Sequence, residues 1–278
     1  MKIKSNISIL LLLIFLTSCT SLGVINPDGT MAFKDASGKK HVMTVNPAVP
    51  KNPYNKESWK KDGDKMFYEG DARFRSRMGL DISRHDGNVD WQAVRAAGFE
   101  FVILRIGYRR YQKGTLEIDE RFRENFKAAR DAGLEIGVYI YSQAITEEEA
   151  LEEAELVLEE LKGEKLELPV VFDPENVPWE WARTDDISGE QFTKNSVVFC
   201  NRIKEAGYKP MIYANMLWEA FTLDLSRLSG IPLWYADYED VPQSPYDFEF
   251  WQYSAFGNVP GCTEQRTDLD VQLIRVEK

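Results

Sequence analysis

The chain has 278 residues, of which 44% are hydrophobic and 12% aromatic, and its formal net charge is −11. This length and apolar content suffice for one large domain or two small ones with a sizeable core. The excess of acidic residues argues against a general nucleic-acid binder, which would carry a basic surface.

The first residues have the pattern of a targeting segment. Lys2 and Lys4 precede an apolar run over residues 7–16, which is too short to span a bilayer. The sequence LTSC at 16–19 resembles the bacterial lipobox. This resemblance implies a signal peptide over 1–18 and lipidation of Cys19, so that acyl chains anchor the protein to a membrane outside the cytoplasm, in the periplasm or at the cell surface. The alternative is an ordinary secretory signal cut nearby.

Residues 19–77 differ in composition from the rest of the chain. Residues 20–77 contain 11 basic and 7 acidic residues, a net charge of +4, whereas 78–278 contain 21 and 38, a net charge of −17. Asn-Pro pairs recur here and favour turns and extended chain. The pattern over 31–45 predicts a small hairpin. We therefore expect a tether or small N-terminal extension over 19–77, with a small wall-binding module as the alternative.

From residue 78 onward, strand patterns alternate with helical patterns. The predicted helices are 89–97, 119–132, 146–161 and 188–206. The predicted strands are 78–83, 99–108, 135–142, 168–172, 209–214, 232–237, 248–253 and 268–273. Three helices end in Ala-Gly just before a strand, where glycine accepts the left-handed conformation of a C-cap.

Eight strands, many of them continuous apolar runs, are typical of a parallel barrel. The prediction is an α/β fold, an irregular (β/α)8 TIM-like barrel that forms the catalytic domain over 78–278. A doubly wound open sheet is the alternative. It is less favoured because no Gly-rich phosphate loop follows the first strand.

In such a barrel, residues at the C-terminal ends of the strands line one mouth. The strand ends here combine aromatic rings, which stack on sugars, with polar groups and carboxylates, which bond hydroxyls and exchange protons. The candidates are Asp81, Tyr139, Tyr141, Asp173, Glu175, Tyr213, Trp234, Asp237, Trp251, Gln252 and Asp268. The pattern favours a carbohydrate site, although a single acid after a strand is usually a solvated residue or a helix cap.

Asp173 and Glu175 are distinct from the other candidates because they end one strand with a single residue between them. They should share a face, with Cα atoms roughly 6–7 Å apart. Like charges this close shift each other's proton affinity, which favours a functional pair. Only His41 and His85 could supply imidazole, which argues against zinc. A Mg or Ca site is the alternative use of the acids. We expect no metal and no cofactor.

Seven motifs, in order along the chain, resemble those of the glycoside hydrolase family 25 lysozymes. They are GLDIS at 79–83 with the later VDW at 89–91, IGVY at 136–139, D-x-E at 173–175, MIY at 211–213, PLW at 232–234, WQY at 251–253 and DLD at 268–270. The resemblance covers residues 78–278. It implies a barrel enzyme that cuts the β-1,4 bond between N-acetylmuramic acid and N-acetylglucosamine in a peptidoglycan strand.

The resemblance also implies a role for individual residues. Glu175 would be the general acid, and Asp173 would assist the acetamido group of the substrate as an internal nucleophile. Asp81 and Asp268 would be two further acids of the site. Tyr139 and Tyr213 would line the groove. Inverting hydrolysis is the alternative mechanism.

Two other functions stay open at this point: a non-catalytic glycan-binding lipoprotein on the same barrel, and a chitinase-like hydrolase. A monomer is expected. Cys200 falls in a predicted helix, which favours a buried free thiol. Because export permits disulfides, pairing of Cys200 with Cys262 is the alternative.

Overall fold

The computed structural model describes residues 22–177, 180–264 and 266–276. The predicted signal peptide and Cys19 lie outside these ranges. No helix within the described ranges is long and apolar enough to cross a membrane. Cys200 and Cys262 are both free thiols, as expected for Cys200, and Cys200 is buried.

The N-terminal part forms two antiparallel hairpins. Strands β1 (Thr30–Lys34) and β2 (Lys40–Thr44) make the first hairpin, at the position predicted from the sequence. Strands β3 (Trp59–Asp62) and β4 (Lys65–Tyr68) make the second, which the polar sequence did not reveal. The described residues of this region thus contain two hairpins.

The extension packs on the barrel through buried apolar and polar contacts. Phe33 is fully buried, and the Trp59 ring lies edge-on to Trp251 of the barrel with 4.9 Å between centroids. The Gln243 side chain accepts from the Lys34 backbone N–H at 2.9 Å and donates to the Lys34 carbonyl at 3.0 Å. These contacts hold 22–77 and the barrel together as one packed body.

Eight strands close a barrel. In order around it they are β5 (Phe74–Ile82), β6 (Phe101–Arg109), β8 (Glu135–Ser142), β9 (Val170–Pro174), β10 (Pro210–Asn215), β11 (Leu233–Ala236), β12 (Phe250–Gly257) and β13 (Thr267–Arg275). Pairing of β13 with β5 completes the circle. The short strand β7 (Leu116–Ile118) extends β6 into a hairpin outside the circle.

The barrel departs from a regular (β/α)8 repeat. The described residues contain five α-helices: α1 (Trp91–Ala96), α2 (Phe122–Asp131), α3 (Glu147–Leu161), α4 (Gly189–Glu205) and α5 (Met216–Phe221). Strand β13 runs antiparallel to both of its neighbours, whereas the other barrel pairs are parallel. Antiparallel strands can be joined without a crossover helix. The connection from β12 to β13 therefore departs from the predicted alternation of strands and helices.

Local signals in the sequence explain the helix ends. Asp90, Thr146 and Ser188 accept hydrogen bonds from the first backbone N–H groups of α1, α3 and α4. The glycines that follow α1, α2 and α4 have φ angles of 95°, 79° and 89°. These positive angles match the predicted C-caps at Gly98, Gly133 and Gly207.

Side-chain alternation divides each barrel strand between two cores. One apolar cluster, which includes Phe101, Val171, Met211 and Phe250, fills the barrel interior. The other lies outside the strands, beneath the helices and the N-terminal hairpins. Because the interior is filled by these apolar side chains, the polar groups near the C-terminal strand ends are the ones that reach the mouth.

Candidate active site

Strand pairing brings together acids that are far apart in the sequence. Asp81 of β5 and Asp268 of β13 are register partners, and Asp173 lies near the end of β9 with Glu175 just beyond it. The four acids share one electrostatic environment, because Asp268 acts on the pKa of both Asp81 and Glu175. The structure therefore brings together the four residues predicted to be catalytic.

Asp173 and Glu175 form a tightly coupled pair. Asp173 is 5% exposed, and its Oδ1 has no hydrogen-bond partner among the described residues. Burial, followed by the charge of Glu175, raises the pKa of Asp173 well above its usual value, while Arg105 lowers it. Burial, followed by Asp268, raises the pKa of Glu175 to about 7. The pair therefore retains at least one proton at neutral pH.

A second carboxyl group cluster lies across the mouth. Burial is the main cause that raises the pKa of Asp81, and the charges of Asp268 and Asp270 follow. Asp270 is fully buried; its Oδ1 accepts from the Trp234 indole at 2.7 Å, and its Oδ2 has no hydrogen-bond partner among the described residues. Burial raises the pKa of Asp270 well above its usual value; the hydrogen bond from Trp234 lowers that pKa, and the charge of Asp268 raises it further.

Gln252 connects these acids to two tyrosines. Its amide nitrogen donates to Asp81 Oδ2 at 2.8 Å. Its amide oxygen accepts from the hydroxyl groups of Tyr213 and Tyr238 at 3.1 and 3.0 Å. Because both tyrosines donate to the oxygen, the orientation of the amide group is fixed and its N–H groups face Asp81.

Aromatic residues form the floor and wall of the site. Trp234 is 1% exposed and lies edge-on to Tyr213 and Tyr139, with centroids 5.0 and 5.9 Å away. It supports the tyrosines and is too buried to be a stacking surface itself. Tyr141 is half-buried and is the register partner of Asp173. Tyr141 is therefore better exposed to a ligand than Trp234.

Two predicted binding residues lie elsewhere. The Trp251 side chain is fully buried on the outer face of the barrel, against Trp59. Its indole N–H donates to the Asp237 carbonyl. The Asp237 carboxylate accepts from Tyr235 and Gln243. The structure places both side chains away from the mouth, because side chains alternate along a strand and the residues next to inward-facing Gln252 and Ala236 face outward.

Two residues of the mouth were missed by the sequence analysis, whereas Asp270 belongs to the DLD motif that it identified. Arg105 faces inward, and period-two counting from Ile103 would have found it. Arg105 pairs with Asp119 through Nε at 2.8 Å and Nη2 at 2.7 Å. Tyr238 follows β11 in a loop, 43% exposed, where no periodic signal exists.

Metal binding has no support in the described ranges, where no group of three or more His, Cys, Asp or Glu side chains is arranged to hold an ion. The carboxyl oxygens of the mouth accept from protein donors or have no partner among the described residues. The arrangement favours proton exchange with a polar, neutral ligand.

Fold and site together define the class of a glycoside hydrolase with a carboxyl-rich barrel mouth. Comparison with known families matches residues 80–262 to the glycosyl hydrolases family 25. The chain belongs to this family, as the motifs of the sequence had implied.

Individual relatives agree with the family assignment. The chain is 28% identical over 193 residues to an autolytic lysozyme of Clostridium acetobutylicum, covering 69% of this chain and 54% of that one. It is 26% identical over 204 residues to lysozyme M1 of Streptomyces globisporus, covering 70% of this chain and 67% of the relative. The matched part thus spans about half to two thirds of these relatives.

Solved structures confirm the fold. A family 25 glycosyl hydrolase from Bacillus anthracis has a TM-score of 0.60 at 21% identity, covering 76% of this chain and 94% of that one. The modular autolysin LytC from Streptococcus pneumoniae, solved with a synthetic peptidoglycan ligand, has a TM-score of 0.64 at 23% identity, covering 90% of this chain and 57% of that one.

Proposed function

We propose that this protein is a muramidase that hydrolyses the β-1,4 bond between N-acetylmuramic acid and N-acetylglucosamine in peptidoglycan strands. The observation that carries the proposal is the coupled pair Asp173 and Glu175 at the mouth of a family 25 barrel. The lysozyme relatives support the substrate class.

Glu175 donates the proton to the leaving oxygen. A general acid must hold its proton at working pH, and a pKa of about 7 keeps a large fraction of Glu175 protonated near neutrality. Burial supplies most of this shift, and the charge of Asp268 adds to it.

Asp173 holds the acetamido group of the substrate. Its Oδ1 is a buried acceptor without a partner among the described residues, and an acetamide N–H is a donor that suits it. A hydrogen bond to the carboxylate form lowers the pKa of Asp173, which moves the shared proton toward Glu175. The acetamide oxygen then attacks the anomeric carbon as the glycosidic oxygen leaves with the proton of Glu175. Water later opens the cyclic intermediate.

The test is product analysis with a matched pair of variants. The purified protein should release muropeptides with reducing muramic acid ends, detected by mass spectrometry. Glu175→Gln should lower kcat by about 10²- to 10⁴-fold, since general-acid catalysis contributes that much. Glu180→Gln removes an exposed carboxylate five residues away and should leave kcat unchanged.

Three results would contradict the proposal. Full activity of Glu175→Gln would disprove the acid assignment. Hydrolysis of chitin oligomers without activity on peptidoglycan would favour a chitinase-like enzyme. Binding of glycan without any release of reducing ends would favour a non-catalytic glycan-binding lipoprotein.

We also propose that the mature chain is a lipoprotein anchored through Cys19 outside the cytoplasm. The support is the basic start, the short apolar run and the LTSC sequence at 16–19. Cys19→Ser should shift the protein from the membrane fraction to the soluble extracytoplasmic fraction and remove the acyl mass from its N-terminus. An unchanged membrane fraction would contradict the anchor.

A further inference from the structure

A cleft of about 900 Å³ opens beside the catalytic mouth. It lies against the β6–β7 hairpin and includes Tyr141 and Arg105 in its lining. Tyr141 is the register partner of Asp173, and burial, followed by the charges of Glu175 and Asp173, raises its pKa, so the cleft lies next to the acid pair. Its volume is within the range of sites that bind small ligands.

The cleft is basic although the chain is acidic. Five cationic side chains line it, against the single carboxylate of Glu117. Burial, followed by the charges of Arg105 and Arg84, lowers the pKa of His85 in the same lining, as expected in a positive field. The cleft thus has the opposite charge to the rest of the mouth.

Two of the five cations are available to a ligand. Arg105, Arg109 and Arg110 are paired with carboxylates of this chain. Arg84 and Lys113 form no ion pair among the described residues. Arg84 is held in place, because its Nη1 donates to the Tyr108 hydroxyl at 2.9 Å and its guanidinium lies 5.0 Å from the centre of that ring.

The wall that carries Lys113 is rigid. Arg109 is buried, bonds to Glu153 at 2.7 Å and donates to the Gly114 carbonyl at 2.8 Å. Gly114 has a φ of 69°, and a Cβ there would lie 2.2 Å from the Arg183 guanidinium. Arg183 also donates its backbone N–H to the Tyr111 carbonyl at 2.9 Å. These contacts fix the hairpin tip before any ligand arrives.

The chemistry of the proposed substrate suggests what the cations bind. The sugar hydroxyl and acetamido groups of a peptidoglycan strand are neutral, whereas the peptides that branch from muramic acid carry carboxylates. A carboxylate is repelled by the acids of the mouth and attracted by an unpaired guanidinium or ammonium group beside it.

We propose that this cleft binds the carboxylate-bearing peptide stem of the muramic acid residue. The side chains of Arg84 and Lys113 would bind the carboxylates of this peptide. The inference rests on the proposed muramidase function and adds specificity for stem-bearing glycan. It predicts that the enzyme distinguishes strands with peptides from bare strands.

The experiment compares two substrates and two charge-matched double variants. The substrates are peptidoglycan strands with intact peptides, and the same strands after an amidase has removed the peptides and the lactyl carboxylates that it exposes have been converted to neutral amides. The test variant is Arg84→Gln/Lys113→Gln. The control is Lys39→Gln/Lys127→Gln, which removes two exposed charges elsewhere, on the first hairpin and on α2.

On stem-bearing strands, kcat/KM of the test variant should be about tenfold lower than that of wild type, and this difference should become smaller at high salt. On bare strands, kcat/KM of the test variant should equal that of wild type. The control should match wild type on both. Equal losses on both substrates, or no loss on stem-bearing strands, would overturn the inference.

A binding measurement separates this inference from the proposed function. Isothermal titration calorimetry of the Glu175→Gln variant measures the affinity for each kind of strand without interference from hydrolysis. Tighter binding of stem-bearing strands that Arg84→Gln/Lys113→Gln abolishes supports the cleft even if the wild type cleaves neither substrate. Equal affinity for both kinds of strand would refute it.

Discussion

At the scale of residues, the mouth divides its carboxyl groups into two clusters with different partners. Asp173 and Glu175 have few donors around them, whereas Asp81 accepts from Gln252 and Asp270 accepts from Trp234. The first cluster is therefore free to exchange protons with a ligand, while each acid of the second is held by a protein donor. The difference follows from the number of donors around each carboxyl group.

Asp268→Asn should shift the pH dependence of hydrolysis. Glu175 acts in its protonated form, so kcat/KM should fall as pH rises through about 7. Removing the charge of Asp268 lowers the pKa of Glu175, which moves this alkaline limb to lower pH. The measurement is the pH profile of kcat/KM. Asp62→Asn, a control at an exposed position, should leave the alkaline limb of the profile unchanged. An unchanged alkaline limb for Asp268→Asn would contradict the effect of Asp268 on the pKa of Glu175.

Asp270→Asn should be tolerated and Asp270→Leu should not. Asparagine keeps a side-chain oxygen that accepts from Trp234, so kcat/KM should stay within about threefold of wild type. Leucine leaves the buried indole N–H without a partner and should cost about 1–3 kcal/mol of unfolding free energy. Denaturant titration and steady-state kinetics check both. Equal damage by the two variants would show that a negative charge at Asp270 is required.

At the scale of elements, the N-terminal hairpins are part of the folded body. Trp59 lies edge-on to Trp251, Tyr54 and Tyr68, and is 7% exposed. Trp251 was predicted to bind substrate because it lies at a strand end, yet its ring faces this extension. The sequence analysis expected only a hairpin over 31–45 in this region, because contacts such as that of Trp59 with Trp251 join residues more than a hundred positions apart.

Trp59→Ala should destabilise the whole protein without altering catalysis. Removing a buried indole typically lowers the free energy of unfolding by about 3–5 kcal/mol. Because the ring contacts the outer face of β12 and not the mouth, kcat/KM at 25 °C should change by less than about twofold. Thermal unfolding followed by near-UV circular dichroism measures the loss, with Trp59→Phe as the milder control. A separate low-temperature transition would indicate that the hairpins unfold independently.

At the scale of the whole molecule, several buried acids link stability to pH. Burial raises the pKa of Glu219 to about 8, from an ordinary value near 4.5; its Oε2 accepts from Ser244 Oγ at 2.6 Å. Glu175 and Asp268 titrate near 7. In each case the folded state binds the proton more tightly than the unfolded state does.

Stability should therefore decrease as pH rises from about 5 to about 8. The contribution of each raised pKa is complete below the unfolded value and is lost as pH passes through the folded value. Glu219→Gln keeps a neutral side chain at every pH, so its melting temperature should fall less over this range than that of wild type. Calorimetry at matched ionic strength measures the two slopes. Identical slopes would show that Glu219 is ionised in the folded state.

Barrel closure explains why the site spans the chain. Asp81 and Asp268 are register partners only because β13 pairs with β5, the last strand with the first. The mouth acids then lie within one electrostatic field, and their raised pKa values follow from shared burial. No local pattern contains this pairing, since it depends on all eight strands closing.

Local sequence determined most of the barrel elements and the acid pair. Capping residues and glycines set the helix ends, apolar runs set the strands, and Asp173 with Glu175 identified the catalytic strand, because these signals act over a few residues. Tertiary structure alone decided which way neighbours such as Trp251 and Gln252 face, which acids lie in one electrostatic field, and what covers the outer wall of the barrel. Those outcomes depend on pairing register and long-range packing, and the sequence around each residue carries neither.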